Sequence, residues 1–211
     1  MKTIYKVTLP VISFILITQT ISAQKDNWEW RMLRTIEDNR TSGKTSFYKT
    51  ISASTYLFSL GTPAAYLISG MINKDNNLKK TALYITESIA ITEAVTFATK
   101  SIVNRERPAI ADPSFTAVTK AKNASFPSGH TSAAFSVATS LTIVKPKWYV
   151  YVPAFTWASL VGYSRMYLGV HYPTDILAGA VIGSGGAWLS YRMNKWMHGK
   201  SNNTLKPAPS L

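Results

Sequence analysis

Five apolar stretches, each of helix length and joined by polar connections that are mostly short, limit what this 211-residue chain can build. They are ISASTYLFSLGTPAAYLISGMI (51–72), TALYITESIAITEAVTFAT (81–99), TSAAFSVATSLTIV (131–144), WYVYVPAFTWASLVGYS (148–164) and ILAGAVIGSGGAWLSY (176–191). Their length and periodicity favour helices, and short links make neighbouring helices antiparallel. A strand over 148–155 is the weaker alternative, suggested by β-branched content. The expected fold is all-α, a membrane-embedded helical bundle of about five to six helices. Stretch 51–72 has no charge and can span a bilayer, with a kink near Gly61 and Pro63. Gly179 and Gly183 stand at close-packing spacing. Against embedding stand the short segments, Glu87 and Glu93 within 81–99, and a mean hydropathy of +0.01.

Residues 1–23 read as an export signal or a first membrane helix. Lys2 and Lys6 begin it, VTLPVISFILITQTI is its apolar run, and Ile21-Ser22-Ala23 before Gln24 offers a cleavage site. Residues 24–50 form an amphipathic segment around WEWRMLRTIEDN, in which Trp28 and Trp30 serve packing or a membrane interface. The bundle occupies 51–196. Residues 197–211 read as a disordered tail carrying a solvated His198. The 17-residue stretch 109–125 lacks periodicity and has the length of a lid or binding loop.

Lys plus Arg outnumber Asp plus Glu by 23 to 10, a net charge of +13 that favours an anionic partner. No zinc-finger, RNP-type or dense basic helical pattern is present, which argues against nucleic acid. The chain has no cysteine, so disulfides, thiolate metal sites and cysteine nucleophiles are excluded.

Tracing the helices alternately up and down brings three distant polar clusters to one end: KSIVNRERP (100–108), PSGH (127–130) and SRMYLGVHYPTD (164–175). The opposite end gathers the basic connections NKDNNLKK, KPK and RMNK, as on the cytoplasmic side of a membrane protein. Lys100, Arg107 and Arg165, with Ser128 and the Gly129 amide at a helix start, compose a cradle for a dianion. His130, His171 and Asp175 supply proton and nucleophile chemistry. Asp175 lies four residues after His171, so it can hold one imidazole nitrogen and leave the other free to attack. Glu106 is the expected charge partner of the arginines that flank it, and Tyr163, Tyr167 and Tyr172 are expected to pack.

The patterns K-x-x-x-x-x-x-R-P, P-S-G-H and S-R-x-x-x-x-x-H-x-x-x-D occur complete and in order, with 18 and 33 residues between them. In this the chain resembles the type 2 phosphatidic acid phosphatase family, whose superfamily includes class A acid phosphatases and vanadium haloperoxidases. The resemblance covers roughly residues 50–195. It implies His171 as a nucleophile that becomes phosphohistidine, Asp175 as its orienting carboxylate, and His130 as the general acid and then base. Lys100, Arg107, Ser128, Gly129 and Arg165 would hold the phosphate oxygens. Neither a metal nor another cofactor is implied.

The expected function is therefore a metal-independent phosphatase at a bacterial inner membrane, its active site facing the periplasm. It would hydrolyse a lipid phosphate or pyrophosphate of the phosphatidate, phosphatidylglycerophosphate, prenyl pyrophosphate or lipid A class. The alternatives are a soluble periplasmic acid phosphatase, a vanadium haloperoxidase, and a phospholipid-binding membrane protein with a dead site. The sequence leaves the oligomeric state open.

Overall fold

Asn27 opens the structure as a helix cap, its side chain accepting from the Trp30 amide at 3.0 Å. The computed structural model describes residues 27–198; the segment expected to be an export signal, and the tail beyond His198, lie outside the described residues. Helix α1 runs from Trp28 to Asp38, α2 from Ser42 to Ile72 and α3 from Asn76 to Val103. A single turn, α4 (Pro108–Ala111), precedes the irregular 112–128 stretch. Then come α5 (Gly129–Val144), α6 (Trp148–Tyr167) and α7 (Pro173–His198). The described residues contain no strand, and 148–155 is helical. Local chemistry sets several boundaries. Asp75 caps α3 by accepting from the Asn77 amide at 2.7 Å. Asn104 ends that helix in the left-handed region (φ 44°).

Helix α5 is the centre of the bundle, packed against α2, α3, α6 and α7. Its buried residues are small, including Ser132, Ala133, Ala134, Ser136 and Ala138. That allows α7 to approach closely: a Cβ on Gly183 would lie 2.2 Å from the Ser132 carbonyl oxygen, and one on Gly179 2.8 Å from that of Ser128. Gly183→Ala is expected to destabilise the protein by about 1–3 kcal/mol, because backbone must separate from backbone. At Gly185 nothing lies within 4 Å of the same added atom. Gly185→Ala should be neutral or stabilising by up to about 1 kcal/mol, since alanine is the better helix former. Thermal unfolding of the two variants makes the comparison.

Among the described residues no helix is long and apolar enough to cross a membrane, so the expectation of spanning helices is not met on that measure. α2 has the length, at 31 residues, but Ser, Thr, Gly and Pro63 dilute its apolarity. α3 carries Lys79, Lys80, Glu87, Glu93 and Lys100. Many large apolar side chains nevertheless face outward, among them Leu57, Leu60, Phe97, Val181 and Trp188.

Candidate active site

Antiparallel packing brings the last turn of α3, the start of α5, the end of α6 and the turn before α7 to one end. There a cleft of about 740 Å³ is lined by Lys100, Arg107, Gly129, His130, Arg165 and His171, with Thr119–Ala121 and Asn123 of the long loop along its rim. Six of the eight sequence-predicted site residues thus share one cavity.

The other two are not among its lining residues. Asp175 is fully buried behind His171, with its Oδ2 3.3 Å from Nδ1. Ser128 is also buried; its hydroxyl accepts from Thr131 Oγ1 at 2.9 Å and its amide donates to the Asp175 carbonyl at 3.0 Å. Ser128 therefore knots the start of α5 to α7.

The surroundings of His171 fix its tautomer. A carboxylate only accepts, so Nδ1 carries the proton toward Asp175. At the other nitrogen, Arg107 Nη1 lies 3.3 Å from Nε2 and, as a pure donor, faces a lone pair. The imidazole is almost completely buried. Its pKa is pushed down to about 3, chiefly because burial penalises the charged ring, with Asp175 opposing and Arg107 and Arg165 reinforcing. The ring is thus neutral at physiological pH, with Nε2 unprotonated.

The cations are held by the loop and by α2. Arg107 donates to the Asn123 carbonyl (2.8 Å), Asn123 Oδ1 (2.6 Å) and the Val170 carbonyl (2.6 Å). Lys100 Nζ donates to the Ala124 carbonyl at 2.7 Å. Arg165 Nη1 donates to Ser52 Oγ, and its Nε is buried without a partner. His130 sits edge-on to Tyr56, ring centroids 5.1 Å apart. Among the described residues no group of three or more His, Asp or Glu side chains is arranged to hold a metal ion.

Two residues absent from the expected set stand behind the cleft. Arg105 donates from Nη1 to Asp175 Oδ1 at 2.7 Å and from Nη2 to Glu29 Oε2 at 2.8 Å. Glu29 Oε1 in turn accepts from the Thr174 hydroxyl and amide at 2.7 and 3.1 Å. This corrects the expectation for Glu106, which is exposed while the carboxylate partners of Arg105 are Glu29 and Asp175. The sequence did carry a signal. Glu29 lies on the face of α1 that buries Trp30, Leu33 and Ile36, where a carboxylate needs a cation.

A second cavity, of about 520 Å³, shares Ser59, Leu60 and Ile89 with the first and continues between α2 and α3 past Pro63, Leu67 and Leu83. Tyr167 and Tyr172 are buried in the packing as expected, and Tyr163, more exposed, packs its ring on Tyr48 with centroids 5.3 Å apart.

A family model described as the PAP2 superfamily matches residues 81–198. The chain is 33% identical over 115 residues to an undecaprenyl-diphosphatase of Sulfolobus acidocaldarius, covering 50% of this chain and 54% of that protein. It is 42% identical over 66 residues to a lipid A 4′-phosphatase of Bacteroides thetaiotaomicron, covering 31% of this chain and 29% of that one. The chain therefore spans about half the length, or less, of these relatives. Among solved structures, LpxE of Aquifex aeolicus superposes with a TM-score of 0.66 at 28% identity, over 81% of this chain and 98% of that one. A transmembrane PAP2-type phosphatidylglycerolphosphate phosphatase of Bacillus subtilis superposes with a TM-score of 0.68 at 23% identity, over 88% and 96%, a likeness of fold.

Proposed function

Because this chain belongs to the PAP2 superfamily, we propose that it is a phosphatase that cleaves a phosphate ester or anhydride of a membrane lipid through a phosphohistidine. The observation that carries this reading is His171, held by Asp175 on one nitrogen and offering an unprotonated Nε2 to a cleft ringed by cations. In the first step the Nε2 lone pair attacks phosphorus and the bond to the leaving oxygen breaks. Burial and the cations around it push the His130 pKa down to about 3 in the free site; the bound phosphate dianion offsets those cations, so His130 enters the complex with a proton and gives it to that oxygen. In the second step His130 takes a proton from water, whose oxygen displaces Nε2 and releases phosphate. Lys100, Arg107, Arg165 and the Gly129 amide face the charge that develops on the equatorial oxygens. Arg107 would exchange its contact with Nε2 for one with phosphate.

The lipid assignment draws on the groove between α2 and α3, whose wall beside the site is apolar and takes an acyl or prenyl chain. The outward-facing apolar residues of α2, α3 and α7 seat the bundle against lipid. Relatives named as undecaprenyl-diphosphatase and lipid A phosphatase agree with such a substrate. The basic loops at the far end, together with the N-terminal signal, favour a site on the outer, periplasmic side.

The test is phosphate release by the purified protein from long-chain and short-chain forms of the same phosphate ester, with excess chelator. The expected result is activity that survives chelation and a kcat/KM at least about tenfold higher for the long chain. Equal kcat/KM for the two, with release from cells by osmotic shock, would favour a soluble acid phosphatase instead. Absence of release from every substrate would overturn the enzymatic reading.

A further inference from the structure

Glu29, Arg105 and Asp175 form a buried chain of charges that ends on His171. Glu29 and Asp175 are fully buried and Arg105 is 8% exposed, so water screens little of their field. Arg105 lies 2.7 Å from Asp175, closer than Asp175 lies to the imidazole. Taken alone, that guanidinium would cancel most of the field Asp175 exerts on His171. Glu29, at 2.8 Å on the other fork of Arg105, restores the balance. The three groups together carry one net negative charge, which matches the single positive charge the imidazole gains when its Nε2 bonds to phosphorus. Arg105 is further held by the Tyr172 ring, 3.8 Å from its guanidinium carbon.

We infer that Glu29 is a positioning residue for the reaction: by neutralising Arg105 it leaves the charge of Asp175 available to the imidazolium of the intermediate. The inference rests on the reading of His171 as the nucleophile. It makes α1 part of the catalytic apparatus, although α1 precedes the family-matched residues 81–198. α1 is seated for this purpose by Trp30, whose ring meets Phe115 and Tyr172 edge-on at 5.7 and 5.5 Å.

The charge count can be tested separately from the fold. Glu29→Gln removes one negative charge and leaves the cluster neutral. Glu29→Gln combined with Arg105→Gln removes one charge of each sign and restores the net −1. With para-nitrophenyl phosphate as probe, Glu29→Gln should slow phosphoenzyme formation and kcat by about 10- to 100-fold, with KM nearly unchanged. The double variant should recover to within a few-fold of the unaltered protein, and Glu29→Asp should retain most activity. A merely structural pair would leave the double variant as impaired as the single one, or more so. A folded Glu29→Gln protein with unchanged kcat, or a double variant no faster than it, overturns the inference. If Glu29→Gln does not fold, the double variant decides alone: near-native kcat upholds the inference and a tenfold loss overturns it. His171→Ala, assayed in parallel, separates the two readings. Activity retained there overturns both, while an inactive His171→Ala beside an unimpaired Glu29→Gln overturns only this one.

Discussion

Replacing His171 with Ala is expected to lower kcat by about four to six orders of magnitude and to abolish covalent labelling by phosphate. The size follows from what is removed. The cleft keeps Lys100, Arg107, Gly129, His130 and Arg165, so the phosphate is still gripped. Only the atom that bonds to phosphorus is lost, and water must then attack without a covalent intermediate. Equilibrium binding of inorganic phosphate should therefore fall far less than kcat. Rapid quench with radiolabelled substrate reads the first effect and calorimetry the second. An active His171→Ala protein, or a phosphoenzyme label elsewhere in the chain, would remove the nucleophile assignment.

Asp175→Asn is expected to be milder by about two orders of magnitude yet still severe, at about 10²- to 10⁴-fold in kcat, for a reason peculiar to this pocket. Every contact that the Asp175 carboxylate makes is with a donor: Arg105 Nη1 at 2.7 Å, the Tyr172 amide at 2.9 Å and His171 Nδ1 at 3.3 Å. An isosteric amide must turn its NH₂ toward one of them. If it meets Nδ1, the imidazole is pushed into the wrong tautomer, with its proton on the attacking nitrogen. If it meets Arg105, a buried guanidinium loses one of two carboxylates, at a cost of several kcal/mol of stability. Loss of activity should therefore come with a lower melting temperature, whereas His171→Asn should lose activity with a smaller change in stability. Equal melting temperatures for Asp175→Asn and the unaltered protein would contradict this account.

The residues proposed to do chemistry on the cleft surface were legible in the sequence because they stand at motif spacing on helix ends that short loops bring together. The residues behind them were not. Glu29 meets Thr174 across 145 positions and Arg105 across 76, and no local pattern records such pairings. Helix starts were hidden for a related reason. α2 begins at Ser42, well before the apolar stretch at 51, because Thr41 caps it and Lys44 and Lys49 make its first turns polar. Apolar periodicity finds the buried part of a helix, whereas a cap marks where it begins. Ser128 shows the converse. Its motif position assigns it to the phosphate cradle, and only the fold shows that its hydroxyl also accepts from Thr131 within the first turn of α5.

The left-handed residue Asn104 has an effect larger than the end of a helix. It releases the chain from the helix, and Arg105 and Arg107, two apart, reach opposite ends of the His171–Asp175 pair. Arg107 addresses Nε2 of His171, the nitrogen proposed to attack, and Arg105 the carboxylate behind the other nitrogen. Three consecutive residues thus work as tongs around the proposed nucleophile, one tip at its Nε2 and one at its supporting carboxylate. Such a tool has no tolerance for slippage. Adding or deleting one residue between the two arginines would turn one tip away and disable both the grip on phosphate and the charge balance at a single stroke.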